Sequence, residues 1–559
     1  MPGAINSPLS CNIINMRSLL ISILTLSFYL TSLKGSGQII TPDSISDELS
    51  NNWFNLDPEL DSVLGISTNK AYTLLNAKKA ATVIVAIIDS GVDIEHEDLN
   101  GVIWSNEGEI PDNGIDDDLN GYIDDVHGWN FIGNANGENI IHDSHELTRE
   151  YVRLKAKFNG RVTVNKRKKE KNEFEYYLRI KKEFEKQKEE KLNEYKNFQM
   201  FNYSFNISYD YISGLLDKDT LTVDDLEQFQ PQEEFGIKTK GMLLYAFDLG
   251  IGKEELKEAE VHFGHQINYA FNEEFDPRSI VGDDYSNLDE KYYGNNDVKG
   301  PDASHGTHIA GVIAAIRNNN IGIDGICNSV KIMSIRAVPD GDERDKDIAN
   351  AIYYASDNGA NIINMSFGKN YSPNKDAVDK AIRYAEEKGI LIIHAAGNDS
   401  ENIDLVINYP SKRFNNNELA RYWIEVGASD SGKNNQIVGE FTNFGKQSVN
   451  VFAPGVSIYS LAPNNEYQFL NGTSMAAPMV TGIAALLMAY YPELSVSQIQ
   501  EILLSSSIKY NDLLVDPPSQ SESEDIQQVE FGSLSVTGGI INAYEAVKMA
   551  DSILIKSLN

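Results

Sequence analysis

The sequence predicts an α/β protein in which a parallel sheet is covered by helices on both faces and is interrupted by a mostly helical insertion. The first observation is a series of continuous apolar runs rich in β-branched residues, which are typical of strands buried on both sides. These runs lie at 81–90, 330–338, 360–368 and 389–398. The second observation is that helical patterns alternate with the runs, which implies right-handed crossovers and three layers. The helical patterns lie at 305–317, 345–358, 375–388 and 474–490.

A highly charged segment, about 146–296, breaks this alternation. Residues 151–200 carry sixteen Lys and Arg against eight Asp and Glu, in a chain whose net charge is −34. Apolar residues recur in the segment at roughly helical spacing, which predicts a long helix or a helical hairpin. They are Phe174, Tyr177, Leu178, Phe184, Leu192 and Tyr195. Three interpretations remain open: a solvated insertion, a flap that covers the functional site, and a basic surface that binds a partner.

Length and composition restrict the class of protein. With 559 residues, 41% of them hydrophobic, the chain can bury a large core and is expected to hold more than one domain. The strong negative charge argues against nucleic acid or an anionic membrane as a partner, and it fits an extracellular or cation-binding protein. We interpret Cys327, which lies in an apolar stretch, as a small buried hydrophobic residue.

The N-terminal segment predicts a secretory signal over residues 1–37. Arg17 supplies the positive end, Leu19 to Leu30 supply the apolar stretch, and small residues at 35–37 precede a cleavage site. Because fifteen residues before Met16 are atypical of such a leader, we expect translation to begin at Met16. No other segment is predicted to cross a membrane. The expected location is therefore secreted, periplasmic or on the cell surface.

Ser474, in the stretch NGTSMAAPMV, is the first candidate for chemistry. The apolar residues from Met475 to Leu487 predict a buried helix, so Ser474 would lie at its N-terminus. There the free N–H groups and the positive end of the helix dipole favour a developing negative charge. Gly472 and the two alanines after Met475 let other backbone approach closely. A hydroxyl is a weak nucleophile, so it needs a base, and the base needs a group that orients it.

Three further motifs supply the missing partners. His305 in SHGTHIAG is the candidate base, and Asp89 in IIDSGVD ends a buried strand, where a carboxylate needs hydrogen bonds. Pairing Asp89 with the ring N–H of His305 would satisfy the carboxylate and fix the tautomer that a base requires. Asn398, at the end of HAAGN, is placed to donate its amide to an oxyanion. His308 is the rival base, and we expect it to pack instead.

In this order, the fragments DSGVD, HGTHIAG, AAGN and GTSMAAP resemble the signature of the subtilisin-like serine peptidases, the subtilases. The resemblance covers about 53–145 and 297–550, which would form the peptidase domain, and leaves out the leader and the insertion 146–296. It implies a subtilisin-like fold, the triad Asp89, His305 and Ser474, and Asn398 as a donor in the oxyanion hole. It also implies two substrate-binding segments. These are Ser366, Phe367 and Gly368, an edge strand for the substrate backbone, and Ala395, Ala396 and Gly397, the opposite wall of the first specificity pocket.

A second constellation in PDNGIDDDLNGYIDD suggests a calcium site. The residues follow the D-x-D-x-N-G pattern of a calcium loop, and hard oxygen ligands without clustered thiols favour Ca²⁺ over zinc. The predicted ligands are Asp112, Asp116, Asp118, Asn120 and Asp124. His127 stands where a full loop of this kind has glutamate, and Asp112 or Asp125 is the candidate for the missing oxygen. The alternative is an acidic, turn-rich surface without a metal.

Taken with the resemblance, these residues predict a secreted serine endopeptidase that acts on protein or peptide substrates through an acyl-enzyme. Two alternatives remain. One is a catalytically silent protein that uses the same fold to hold a partner, and the other is a processing protease of narrow specificity. The complete set of four motif residues argues against the silent protein, whereas the large insertion between Asp89 and His305 keeps the processing protease open.

Overall fold

The structure is a computed structural model that describes residues 50–161, 168–432, 436–519 and 527–558. Within these ranges there are thirteen strands and thirteen α-helices. The strands are β1 Val83–Asp89, β2 Gly128–Asn130, β3 Val330–Arg336, β4 Ile362–Met365, β5 Leu391–Ala395, β6 Trp423–Ser429, β7 Val451–Pro454, β8 Ile458–Ala462, β9 Glu466–Leu470, β10 Ile508–Lys509, β11 Leu514–Val515, β12 Val529–Glu530 and β13 Gly539–Ile540. The helices are α1 Pro58–Asp61, α2 Thr68–Leu75, α3 Glu146–Phe158, α4 Lys168–Leu216, α5 Val223–Gln228, α6 Glu234–Asp248, α7 Lys253–His265, α8 Ser304–Ala314, α9 Asp345–Asp357, α10 Lys375–Glu387, α11 Thr473–Tyr490, α12 Val496–Ser505 and α13 Ala543–Leu558. The predicted leader, 1–37, lies outside the described residues.

Nine of these strands form one sheet in the order β10-β13-β7-β6-β5-β4-β1-β3-β2. All neighbours are parallel except β10 and β13, which pair antiparallel at one edge. The predicted runs are present as β1, β3, β4 and β5, and the predicted helices as α8 to α11. The helix predicted over 305–317 ends at Ala314, because the N–H of Ile316 donates to the carbonyl of Asp98 at 3.1 Å instead.

Side chains of the interior strand β1 alternate between two cores. Val85 and Ile87 belong to one core together with residues of α8 and α11, whereas Ala86 and Ile88 belong to another with residues of α9 and α10. Successive residues of a strand point to opposite faces, so this alternation places helices on both faces of the sheet. The predicted three-layer α/β fold is confirmed.

Helix α11 lies in the first of these cores. Among the described residues it is the one helix long and apolar enough to cross a membrane, with a mean hydropathy of 1.4. However, 83% of the 18 residues of this helix are buried within the protein, and the helix packs against β4 to β7. We expected no segment besides the leader to be long and apolar enough to cross a membrane. By length and composition α11 is such a segment, but it is buried as a core helix is.

Residues Arg161–Phe271 form a compact unit with a hydrophobic core of its own. The unit contains α4, which is 49 residues long, and the shorter α5, α6 and α7. Phe201, Phe205 and Ile212 of α4 pack in this core with Leu243 of α6 and Phe263 of α7. The unit covers fewer residues than the predicted insertion, 146–296, because α3 and residues 272–296 belong to the larger unit.

Candidate active site

Asp89 and His305 meet at the carboxyl end of the interior strand β1. Nδ1 of His305 donates to Oδ1 of Asp89 at 2.8 Å, and the same oxygen accepts the N–H of Ser90 at 2.8 Å. Asp89 is buried, whereas a third of the His305 side chain is exposed. Burial alone lowers the pKa of His305, but the charge and hydrogen bond of Asp89 outweigh burial and raise it above its usual value. With Nδ1 carrying the donated proton, Nε2 is the ring nitrogen that is able to accept one.

A glycine allows α8 to approach β1 closely enough for this pair to form. A Cβ added at Gly306 would lie 2.1 Å from the carbonyl oxygen of Gly91 and 3.3 Å from Cβ of Asp89. Any larger side chain at position 306 would push the helix away from the strand end. The small residues around His305 in the sequence therefore serve close packing of the helix on the sheet.

Ser474 is the second residue of the buried helix α11, where the first four N–H groups have no partner within the helix. Gly472 caps the helix with φ 151° and ψ 158°, a conformation that residues with a Cβ rarely adopt. The hydroxyl of Ser474 donates to the carbonyl of Ser366 at 3.0 Å, and Ser366 Oγ donates to the carbonyl of Ser474 at 3.0 Å. Among the described residues, no hydrogen bond joins Ser474 to His305.

Asn398 lies beside the start of α11 with its amide group oriented by Thr473. The side-chain oxygen of Asn398 accepts from the N–H of Thr473 at 2.8 Å and from its hydroxyl at 2.9 Å. The Thr473 hydroxyl in turn accepts the N–H of Gly397 at 3.1 Å. The Nδ2 atom of Asn398 lies 3.5 Å from the position of a Cβ at Gly472. The oxygen of Asn398 thus accepts from Thr473, and the Nδ2 group is the donor that remains, close to the start of α11.

Two other histidines of this region are packed in the interior. Nε2 of His308 donates to the carbonyl of Ile458 at 3.0 Å, and burial lowers the pKa of His308 to about 3. This ring is therefore neutral and turned away from Asp89, as expected for the rival base. His394 on β5 donates through Nδ1 to Glu425 on β6 at 2.8 Å, and the same carboxylate accepts the indole N–H of Trp423 at 2.7 Å.

The two segments assigned to substrate binding follow the ends of β4 and β5. Ser366 is buried and bonded to Ser474, whereas Gly368 is exposed. Neither Phe367 nor Gly368 makes a backbone hydrogen bond with any residue that the structure describes. Ala395 and Ala396 are buried at the end of β5. An extended peptide could therefore pair with the free backbone groups of the first segment.

Asn408, which the sequence analysis did not identify, lies between these two segments. Its Nδ2 donates to the carbonyls of Ala396 at 3.1 Å and Ala395 at 3.3 Å. Its Oδ1 lies 2.3 Å from where a Cβ at Gly368 would stand, and its Nδ2 lies 3.4 Å from such a position at Gly397. The carboxamide thus lies between the two predicted walls, close to Gly368 and Gly397.

Lys369 anchors the first segment from its far end. Its Nζ lies 2.9 Å from Glu146 and 2.8 Å from Asp345, and it donates to the carbonyl of Glu343 at 2.7 Å. Burial by itself lowers the pKa of Lys369, but the charges of Glu146 and Asp345 outweigh it and raise the pKa. A buried cation with three oxygen partners holds the backbone after Gly368 in place, and nothing in the local sequence indicates partners so distant along the chain.

The acidic loop is arranged differently from the predicted ligand set. Both carboxylate oxygens of Asp116 and of Asp124 accept backbone N–H groups of the same loop, and Asp112 is exposed. Of the predicted ligands, Asp118 joins a group of carboxylates, and its neighbours in that group are Glu109 and Asp125. The D-x-D-x-N-G spacing therefore located the loop, but Glu109 comes from outside the motif.

Glu109, Asp118 and Asp125 each place one oxygen within 4.8 Å of the others. Burial raises the pKa of Asp125 to about 6, although the hydroxyl of Tyr354 donates to this carboxylate at 2.5 Å. Asn106 donates to both Asp118 and Asp125 at 2.9 Å. Three converging carboxylates repel one another, and this set of hard oxygen donors is of the kind that Ca²⁺ prefers.

Comparisons with known proteins identify the family of the chain. A family model described as the subtilase family matches residues 80–532. Subtilisin DY of Bacillus licheniformis is 41% identical over 212 residues, which are 37% of this chain and 72% of that protein. A thermophilic serine proteinase of Bacillus sp. (strain AK1) is 37% identical over 44% of this chain and 54% of its own length. The cell wall-associated protease of Bacillus subtilis (strain 168) is 34% identical over 39% of this chain and 23% of its own length.

The three-layer fold and these matches define the chain as a serine-type endopeptidase, whose substrates are proteins or peptides. The chain belongs to the subtilase family, because the family model covers most of its length. The matched range begins just before β1 and ends at Gly532 after β12, so it includes every motif residue and the insertion.

Proposed function

We propose that the chain is a secreted endopeptidase in which Ser474 is the nucleophile, His305 the general base and Asp89 the group that orients the base. The observation that carries this proposal is the 2.8 Å hydrogen bond from His305 to Asp89 at the end of β1. Ser474 Oγ attacks the carbonyl carbon of the scissile bond while His305 Nε2 takes the hydroxyl proton. That proton then passes to the leaving amine as the C–N bond breaks. The charge of Asp89 stabilises the imidazolium between these two transfers.

Water completes the cycle by hydrolysing the acyl-enzyme. His305 takes a proton from water, the hydroxide attacks the ester carbonyl, and Ser474 regains its proton as the carboxylate product leaves. Attack requires the Ser474 hydroxyl to leave the carbonyl of Ser366. A serine side chain turns about one bond between staggered positions, so this change is a rotamer step and not a change of fold.

Labelling with a fluorophosphonate tests the proposed nucleophile and separates it from the silent binding protein. We expect the purified protein to form a covalent adduct that mass spectrometry of tryptic peptides places on Ser474. A protein that binds partners through the same fold but does not catalyse would leave the probe unreacted. An adduct on another serine would overturn the assignment of Ser474.

Replacing Asn398 tests the oxyanion hole. We expect Asn398→Ala to lower kcat by roughly 10²–10³, the range measured for the corresponding amide in a related subtilisin. KM should change little, because this donor stabilises charge that develops only in the transition state. Steady-state kinetics on a peptide substrate gives both constants. Asn402→Ala, in the loop after the site, is a suitable control, and a loss in the control equal to that in Asn398→Ala would contradict the role.

We also propose that Glu109, Asp118 and Asp125 hold a calcium ion, with Asn120 close by. Their oxygens converge as a hard-cation site requires, and bound Ca²⁺ would supply charge neutralisation that stabilises the loop. Ligand binding to the folded state adds about 2.7 kcal/mol of stability at 100 times Kd. Calorimetry should therefore show a higher Tm in calcium than in chelator.

Variants identify the residues behind this calcium effect. Asp118→Asn is expected to shrink the difference in Tm between calcium and chelator, whereas Asp112→Asn, an exposed carboxylate of the same loop, should keep it. If both variants behave alike, the ion lies elsewhere. If Tm does not respond to calcium at all, the loop is an acidic surface.

Secretion and the domain division complete the proposal. We propose that residues 1–37 are a leader removed on export, which is consistent with the name of the cell wall-associated relative. N-terminal sequencing of the protein recovered outside the cell tests this, and a start before residue 30 contradicts it.

We further propose that the charged insertion is a separate domain, with Arg161–Phe271 as its compact part.

A further inference from the structure

Helix α3, the first element of the predicted insertion, begins with a buried carboxylate. Glu146 is 2% exposed, and its Oε2 accepts from Nη2 of Arg149 at 2.7 Å. The same oxygen accepts from Nζ of Lys369 at 2.9 Å, 223 residues further along the chain. Burial alone raises the pKa of Glu146, but the charges of Arg149 and Lys369 outweigh burial and lower the pKa to about 2. Because a buried carboxylate is costly unless it is paired, this contact is a fixed point of the structure.

The first turn of α3 also holds a second backbone segment, residues 342–343. The N–H of Glu146 donates to Oδ2 of Asp342 at 2.7 Å. Nη2 of Arg149 donates to the carbonyls of Asp342 at 3.0 Å and Glu343 at 3.3 Å. Lys369 donates to the carbonyl of Glu343 at 2.7 Å. The start of α3 therefore fixes Lys369 and residues 342–343 relative to each other.

Lys369 directly follows the segment 366–368, which we assign to the substrate backbone. The N–H and the carbonyl of Lys369 both bond to the backbone of Tyr409 at 2.9 Å. At the other end of the segment, Ser366 is bonded to Ser474 in both directions at 3.0 Å. The two residues between these ends make no backbone hydrogen bond with any residue that the structure describes. The geometry of the segment consequently depends on its two ends.

Glu146 is the carboxylate that is best placed to control the Lys369 end. A lysine has a flexible four-carbon stem, so its ammonium group stays in one place only where anions hold it. Asp345, which lies 2.8 Å from this ammonium group, also accepts from the hydroxyl of Ser372 at 2.9 Å and from the N–H of Asn374 at 2.7 Å. A backbone that is held in place before a peptide arrives loses little conformational entropy when it pairs with that peptide.

We propose that Glu146 is a positioning residue, through which the first turn of α3 holds the substrate segment ready for an extended peptide. This proposal rests on the proposed function of the site. Glu146 holds Lys369, and Lys369 holds the backbone with which the peptide pairs. The substitution of Glu146 should therefore affect substrates that have a backbone to pair, and not small molecules that reach only Ser474. The start of the insertion would then contribute directly to peptide binding.

The test compares a long peptide, which extends several residues on both sides of the cleaved bond, with p-nitrophenyl acetate, a small ester without a peptide backbone. Glu146→Gln keeps the shape of the side chain but removes the charge that holds Lys369. We expect KM for the peptide to rise roughly tenfold, the size expected when a backbone hydrogen bond or two are weakened. The kcat for the peptide should stay near the wild-type value, because binding is lost equally in the ground state and the transition state. Hydrolysis of the ester should change little.

Glu150→Gln is the matched control, because Glu150 is also a buried carboxylate of α3 but pairs with Arg153 at 2.6 and 2.9 Å. It should leave KM for the peptide unchanged. An equal rise in both variants would mean that the helix as a whole is disturbed, which overturns the proposal. If Glu146→Gln does not fold, Glu146→Asp keeps the charge, withdraws it from Lys369 by one methylene and should raise KM for the peptide in the same direction. An unchanged KM in the folded variant overturns the proposal.

Fluorophosphonate labelling separates this proposal from the proposed function. If the wild-type chain is labelled on Ser474 but Glu146→Gln cleaves the peptide with the wild-type KM, the positioning role is wrong and the proposed function stands. If activity on the peptide and on the ester falls equally, Glu146 supports the active site as a whole and the positioning role is also wrong. If the wild-type chain neither labels nor hydrolyses either substrate, both proposals fail.

Discussion

Ser474→Ala is expected to abolish peptide cleavage, with a loss in kcat of about 10⁶ as found for the nucleophile of a related subtilisin. The reason is that the covalent path disappears while the oxyanion donors and the substrate walls persist. Affinity for a peptide should therefore change little, and binding measured by calorimetry should stay near the wild-type value. The fold should also persist, because the Ser474 hydroxyl contributes one hydrogen bond, to Ser366.

The matched control for this variant is Ser552→Ala, which removes an exposed serine on α13. It should retain full activity. If Ser474→Ala kept more than a small remnant while its circular dichroism matched the wild type, another residue would have to be the nucleophile. A loss of the folded signal would call for Ser474→Cys, which keeps a side chain of similar shape and should remain folded and poorly active.

Asp89→Asn is expected to give the second largest loss, about 10⁴ in kcat. The carboxylate of Asp89 accepts the Nδ1 proton of His305. The amide of an asparagine can instead donate to Nδ1, which favours the tautomer that carries its proton on Nε2 and cannot act as a base there. Kinetics over a range of pH provides a second readout. The base works only when neutral, so activity falls as pH falls through the pKa of His305. Asp89 raises that pKa, and the acid limb should therefore move to lower pH in the variant.

Asp357→Asn removes a carboxylate that is exposed on α9 and serves as the control for charge alone. It should change neither kcat nor the acid limb. If Asp89→Asn lowered activity without moving the acid limb, the effect would come from packing at the strand end and not from the charge next to His305.

Much of the sheet was predictable because its central strands are continuously apolar. β1, β3, β4 and β5 are buried on both faces, and such runs stand out in a sequence. β6 does not stand out in the sequence, because it contains the charged residue Glu425. The burial of Glu425 depends on hydrogen bonds from His394 on β5 and from Trp423. The hairpin of β8 and β9 was also missed, because most residues of β9 are exposed or only partly buried.

The catalytic candidates were predictable for a different reason, namely that each lies in a short motif with unusual small residues. Asn408 has no such local signal. Its position next to Ala396 follows from a hydrogen bond across the loop after β5. The same limit applies to the acidic loop, where spacing identified Asp118 but could not bring in Glu109. Short motifs do not reveal which distant segments of the chain will be in contact.

The long separation between Asp89 and His305 has a consequence for how the chain folds. These residues are 216 positions apart, and β1 pairs with β3 and β4, strands made much later. The added length is thermodynamically mild, since each doubling of a closed loop costs only about 0.6 kcal/mol. Its cost is kinetic, because sheets dominated by distant pairings assemble slowly. We therefore expect newly made chains to lack peptidase activity until late in folding, when Asp89 and His305 come together.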